Sequence, residues 1–141
     1  MTAKAPLLGL LLAASLGAAD WFPVQIEAPA YPPLANQARL EGSVRLKLLL
    51  DESGAVQKVE VLAGHPLLAR TAQDNIRLWK FAAPCLEGHH APGVIEFTYD
   101  FRIEGEVETK PTTRFRYQHP YKAIVISEAL HWTPDSERRN R

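Results

Sequence analysis

The sequence predicts an α+β fold whose elements run α-β-β-α-β, with a further β-hairpin appended beyond them. Three observations predict it. Leu68, Ala72, Ile76 and Trp79 recur at helical spacing. Ile95, Phe97, Tyr99, Phe101 and Ile103 alternate with Glu96, Thr98, Asp100 and Arg102 as one face of a strand. Asp51-Glu52-Ser53-Gly54 lies between two strand-like runs as a hairpin loop, with Gly54 free to take a positive φ. Folding accounts for nearly every apolar position. Little is left over for a reaction centre, so the pattern predicts a binding module rather than an enzyme.

The N-terminal residues predict export. Lys4 is the only charge before Asp20, residues 6–16 are almost entirely Leu, Ala and Gly, and Gly17-Ala18-Ala19 suits a signal peptidase. The apolar run falls short of the ~20 residues needed to cross a bilayer core, so residues 1–19 read as a signal peptide cleaved near Ala19. The alternative is an uncleaved N-terminus that tethers the chain to the inner membrane. Cleavage leaves 122 residues, enough for one domain with a core, carrying 15 basic and 16 acidic residues. That balance provides no field for collecting nucleic acid. Cys85 is alone, so no intrachain disulfide forms and packing must stabilise the fold.

Residues 20–30, with Pro23 and Pro29, read as an extended lead-in. Pro32 and Pro33 suit the first turn of a short helix faced by Leu34, Ala35, Ala38 and Leu40, with Gly42 as its stop. Tyr31, one residue ahead, packs its ring back over that helix. In residues 43–51, Val44, Leu46, Leu48 and Leu50 share one face. The return strand at 55–62 has imperfect parity: Val59 and Val61 fit one face and Val56 the other, which predicts a bulge near Gln57-Lys58. Gly64-His65-Pro66 opens the second helix, which ends in Trp79-Lys80-Phe81. After the strand at 95–103, residues 104–112 read as a polar linker, 113–127 as an additional β-hairpin around Gln118-His119-Pro120, and 128–141 as a polar tail.

These residues together resemble the C-terminal domain of the TonB energy-transducer family. The resemblance covers residues 31–103 and rests on motifs in order: Tyr31-Pro32-x-x-Ala35, Gly42-x-Val44, Asp51-x-x-Gly54-x-Val56 and Trp79-Lys80-Phe81-x-x-Pro84. It implies a periplasmic module with two helices packed on a three-stranded antiparallel sheet. It also implies a protein or peptide partner: family members that act as transducers contact the N-terminal box of outer-membrane receptors by adding a strand. A complete transducer of the family would carry a membrane helix with a Ser and a His on one face, and a long Pro-rich spacer. The apolar segment here has Ser15 and no His, and residues 20–30 reach at most roughly 40 Å when extended. The expectation is therefore a stand-alone domain rather than a complete transducer.

On that analogy the partner-binding residues are Tyr31 and Pro32 at the entry, with Glu96, Thr98, Asp100 and Arg102 on the last strand. The competing account is that these polar side chains only solvate one face. A homodimer through edge strands is the alternative partner. Cys85, His89 and His90 fall in one loop, but no Cys pair or HExxH supports a metal site, and adjacent histidines point apart. No GxSxG, glycine-rich phosphate loop or apolar carboxylate pair supports catalysis. No cofactor, metal or small-molecule substrate is expected. Arg114, Phe115, Arg116 and Tyr117 interleave charge with aromatics, which reads as an exposed strand face rather than a nucleic-acid site.

Overall fold

The computed structural model describes residues 21–82 and 92–131. The expected signal peptide at 1–19, the loop holding Cys85, His89 and His90, and the last ten residues of the tail lie outside the described residues. In chain order the elements are β1 (Phe22–Gln25), α1 (Pro33–Gln37), β2 (Gly42–Leu50), β3 (Val56–Ala63), α2 (Pro66–Ile76), β4 (Lys80–Ala82), β5 (Gly93–Val107), β6 (Thr113–Gln118) and β7 (Lys122–Leu130). They form an α+β structure with a two-stranded ribbon, β1-β4, and a five-stranded sheet in the order β3-β2-β5-β7-β6.

The β2–β3 hairpin follows its sequence closely. Gly54 has φ 85°, and a Cβ there would lie 1.6 Å from the Phe81 carbonyl oxygen, so only glycine fits. Asp51 organises the loop: its Oδ1 accepts from the Ser53 N–H at 2.9 Å and the Ala55 N–H at 3.0 Å, and its Oδ2 from Gln57 Nε2 at 2.8 Å. The register passes from Leu49↔Lys58 to Leu50↔Val56, which leaves Gln57 as the extra residue of a bulge. This is the bulge that the parity of Val56 predicts.

Both helices end earlier than their sequences predict. α1 stops at Gln37, and Arg39, with φ 52°, takes the left-handed turn expected of Gly42, which already belongs to β2. α2 stops at Ile76; the Leu78 and Trp79 N–H groups bond the carbonyls of Asn75 and Ile76 in a tighter turn. Lys80–Ala82 then pairs with Phe22–Gln25 of the lead-in. The lead-in is thus part of the fold. Its Trp21 ring lies against Gly93, where a Cβ would meet the indole at 2.3 Å.

The core lies between α2 and the inner face of the sheet. Val44, Leu46, Leu48, Leu68, Ile76, Phe97 and Phe101 are fully buried in it. Trp79 sits at its centre, 5.2 Å from Phe97, 5.9 Å from Phe115, 6.0 Å from Tyr117 and 6.2 Å from Phe81, ring centroid to centroid. Its indole N–H donates to the Glu27 carbonyl and to Asn75 Oδ1, each at 3.0 Å. Asn75 Oδ1 also accepts from the Tyr99 hydroxyl at 2.6 Å. Burial pushes the Tyr99 phenol well above its ordinary range, so it stays a donor.

Past Ile103 the structure departs from the expected linker. β5 continues to Val107, and β7 to Leu130. β7 pairs parallel to β5 from Thr98↔Lys122 to Val107↔Leu130, and β6 returns antiparallel along the far side of β7. The appended hairpin joins the main sheet and puts Phe115 and Tyr117 on the same face as Trp79.

Three predictions follow from these contacts. Trp79→Ala should cost about 3–5 kcal/mol, read from urea unfolding. The hydrogen bonds from Ser53, Gln57 and Ala55 pull the Asp51 carboxyl from 3.8 to about 2. Its stabilisation is therefore complete above 3.8 and lost as pH falls toward about 2. Asp51→Asn should lower stability at neutral pH and flatten the acid decline of the urea midpoint across that window. The Thr98 N–H donates to the Tyr121 carbonyl at 3.0 Å, so by alternation the Asp100 and Arg102 amides also face β7. Deleting the chain from Thr112 onward should speed hydrogen exchange at those three amides. Phe97, Tyr99 and Phe101, which face β2, should keep their protection.

Candidate functional site: the rims of the sheet

A strand-adding partner needs a row of unpaired backbone groups. The rim of β5 does not provide one over most of its length. From Thr98 to Val107 it is occupied by β7, with the Thr98 N–H bonded to Tyr121 at 3.0 Å and the His131 N–H bonded to the Val107 carbonyl at 2.7 Å. Thr98, Asp100 and Arg102 were expected beside an open edge and instead lie inside the sheet, and Glu96 lies just before the paired stretch. The physical reason is a parallel strand that arrives from 20 or more residues downstream, a pairing with no local signature.

The outward carboxylates of β5, Glu96 and Asp100, are engaged by neighbouring strands. Arg45 of β2 lies 3.6 Å from Glu96, and Lys122 of β7 lies 3.9 Å from Asp100. Arg102 bonds the same Asp100 carboxylate through Nε at 2.9 Å. This is a cross-strand charge ladder on a solvated face, of the kind that contributes little each. Tyr31 is buried, its hydroxyl bonded to the Leu40 carbonyl and its ring edge-on to Phe101 at 5.5 Å. Burial, reinforced by Glu41, raises its phenol to about 12. Pro32 is the N-cap of α1. Both residues position that helix from within.

A buried amide that sequence reasoning passed over fastens α1 to the added hairpin. Asn36 Nδ2 donates to Ser127 Oγ and to the Glu128 carbonyl, each at 2.8 Å. Its signal in the sequence is an amide in a helix otherwise faced by Leu and Ala, with Ser127 as its counterpart in an apolar strand. Tyr121 adds a second tie, donating its hydroxyl to the Trp21 carbonyl at 2.9 Å.

In the five-stranded sheet two rims remain paired on one side among the described residues, those of β3 and β6. The start of β3 is held by an Ala55↔Lys80 bridge and by the Phe81 N–H bonded to Gly54, which leaves its later residues open. β6 is open along its length. Beside its first residue, a cleft of about 230 Å³ opens between α1 and the hairpin, walled by Pro33, Pro111, Thr113 and Leu130.

The described histidines are placed apart. His65 caps α2, accepting from the Leu67 N–H at 3.2 Å, and His131 Nδ1 lies 3.0 Å from Glu106. Among the described residues no three His, Cys, Asp or Glu side chains gather as metal ligands. No helix among them is long and apolar enough to cross a membrane.

Known proteins match this architecture. The family model described as Gram-negative bacterial TonB protein C-terminal matches residues 27–103. Protein TonB of Xanthomonas campestris pv. campestris (strain B100) is 35% identical over 77 residues, covering 53% of this chain and 34% of that protein. Protein TonB of Vibrio cholerae is 32% identical over 79 residues, covering 55% of this chain and 32% of its own length. The chain thus spans about a third of the length of these relatives. The solution NMR structure of the Pseudomonas aeruginosa TonB CTD superposes with TM-score 0.52 at 26% identity, covering 63% of this chain and 92% of that one. β6 and β7 lie beyond the matched residues. On the match to 27–103 and the shared fold, the chain belongs to the TonB C-terminal family.

Proposed function

We propose that this chain is an exported envelope module that binds a protein partner by strand addition to a free rim of its sheet. The observation that supports it most is a five-stranded sheet whose two outer strands, β3 and β6, are each paired on one side only among the described residues. A partner segment in extended conformation gains main-chain hydrogen bonds there, and alternate side chains read its sequence. The family suggests a segment of an outer-membrane receptor as that partner, and the pattern of residues 1–19 suggests their removal on export. Tyr31 and Pro32 serve the site by fixing α1, and Glu96, Thr98, Asp100 and Arg102 serve it as the charged outer face that a bound segment extends. No catalytic step, cofactor or small-molecule substrate belongs to this reading.

Self-association through the same rims is the second reading, and one experiment separates the two. A photoreactive residue replaces Glu60 on β3 or Arg116 on β6 in the exported protein, both of them exposed. The reading predicts an adduct with a different envelope protein, on a chain whose N-terminus begins at Asp20. Adducts of this chain with itself alone would establish the second reading instead. No adduct from either rim would contradict both.

A further inference from the structure

The rim of β6 carries a charge and side-chain pattern specific enough to name its partner's chemistry. The Glu128 N–H donates to the Thr112 carbonyl at 3.4 Å, which sets the alternation of the β6–β7 ladder. Arg114, Arg116 and Gln118 then turn their backbone groups toward β7, and Thr113, Phe115 and Tyr117 turn theirs to the open side. The side chains sort oppositely between the two faces of the sheet. Arg114 and Arg116 stand on the outer face, both exposed. Arg114 lies 3.8 Å from Glu104 and also acts on the Glu128 carboxylate, whereas Arg116 has no ion pair among the described residues. Phe115 and Tyr117 lie half-buried on the inner face against Trp79, and the cleft beside Thr113 opens on that same face.

A second copy of this chain pairs poorly with the centre of the rim. Antiparallel pairing about a two-fold axis at Phe115 sets each Arg114 directly opposite the other copy's Arg116. An axis at Arg116 sets that residue opposite itself. Like charges held at cross-strand distance oppose the pairing. An incoming strand with carboxylates on the outer face and apolar side chains on the inner face satisfies both rows at once. Its apolar residues would extend the surface of Phe115 and Tyr117 and reach the cleft.

We propose that the β6 rim is a docking strand for an extended protein segment in which acidic and apolar residues alternate. The site belongs to the hairpin outside the family match. It displaces strand addition from the β5 rim, which β7 occupies, to a rim of opposite chemistry. The inference rests on the strand-addition reading and specifies where addition occurs and to what.

The test uses the chain from Asp20 to Arg141, which holds every described residue, with its amides labelled for NMR. It is titrated with a blocked peptide of repeating Val-Glu and, separately, with one of repeating Val-Lys. The Val-Glu peptide should slow hydrogen exchange at the Thr113, Phe115 and Tyr117 amides and bind about fivefold more tightly than Val-Lys, an advantage that fades with added salt. Arg114→Glu with Arg116→Glu, both exposed positions, should reverse the preference while leaving the amide spectrum of the core in place. Equal binding of the two peptides, or protection confined to the β3 rim, would overturn the β6 assignment and leave strand addition standing. Absence of protection at both rims would overturn both.

Discussion

The structure depends on the burial of Trp79. Its ring touches aromatic residues of β4, β5 and β6, and its indole N–H reaches both the lead-in carbonyl of Glu27 and the Asn75 side chain. One side chain therefore joins the family-matched part of the chain to the appended hairpin. An aromatic cluster of this kind gains from both area and edge-to-face geometry. The polar end of the indole is satisfied by Asn75, whose carbonyl also takes the Tyr99 hydroxyl, so the centre of the core holds no unpaired donor.

The hairpin is consequently a structural part of the domain and not a loose appendage. Phe115 and Tyr117 roof the indole, Asn36 fastens α1 to the carbonyl of Glu128, and Tyr121 holds the lead-in. These contacts explain how a parallel strand reached only through a return connection remains next to β5. They also set the functional consequence. The β5 rim is largely satisfied by the chain's own backbone, and the rim presented by the hairpin carries arginines on one face and aromatic residues on the other. On the proposed reading, a module with one edge sealed and another decorated selects its partner by charge as well as by main-chain pairing.

Much of this architecture was legible because it is local. The alternation of residues 95–103 marks β5, and the misplaced parity of Val56 marks the bulge at Gln57. The stripe from Leu68 to Trp79 identifies the α2 face but overruns its end, because Asn75 and Ile76 close a tight turn and β1 draws Lys80–Ala82 into an extended ribbon. The end of α1 at Gln37, with the left-handed turn at Arg39, was illegible, since propensity points to Gly42. The place of β7 was left undecided: the sequence offers the added hairpin as a cover for the β5 edge without fixing where it pairs. Two consecutive strands read as a hairpin whatever their neighbours, and nothing in residues 122–130 specifies a parallel partner. For the candidate site, the residue types were visible in Arg114-Phe115-Arg116-Tyr117, but their role as a rim depends on that unseen insertion.

The central claim is that β7 occupies the β5 edge in parallel register, leaving β6 outermost. The most direct measurement is the scalar coupling that passes through a backbone hydrogen bond in isotope-labelled protein. The account predicts a coupling between the Thr98 amide nitrogen and the Tyr121 carbonyl carbon, which the 3.0 Å contact joins. A Thr98 amide with no such coupling that exchanges with solvent as fast as an exposed loop would contradict it.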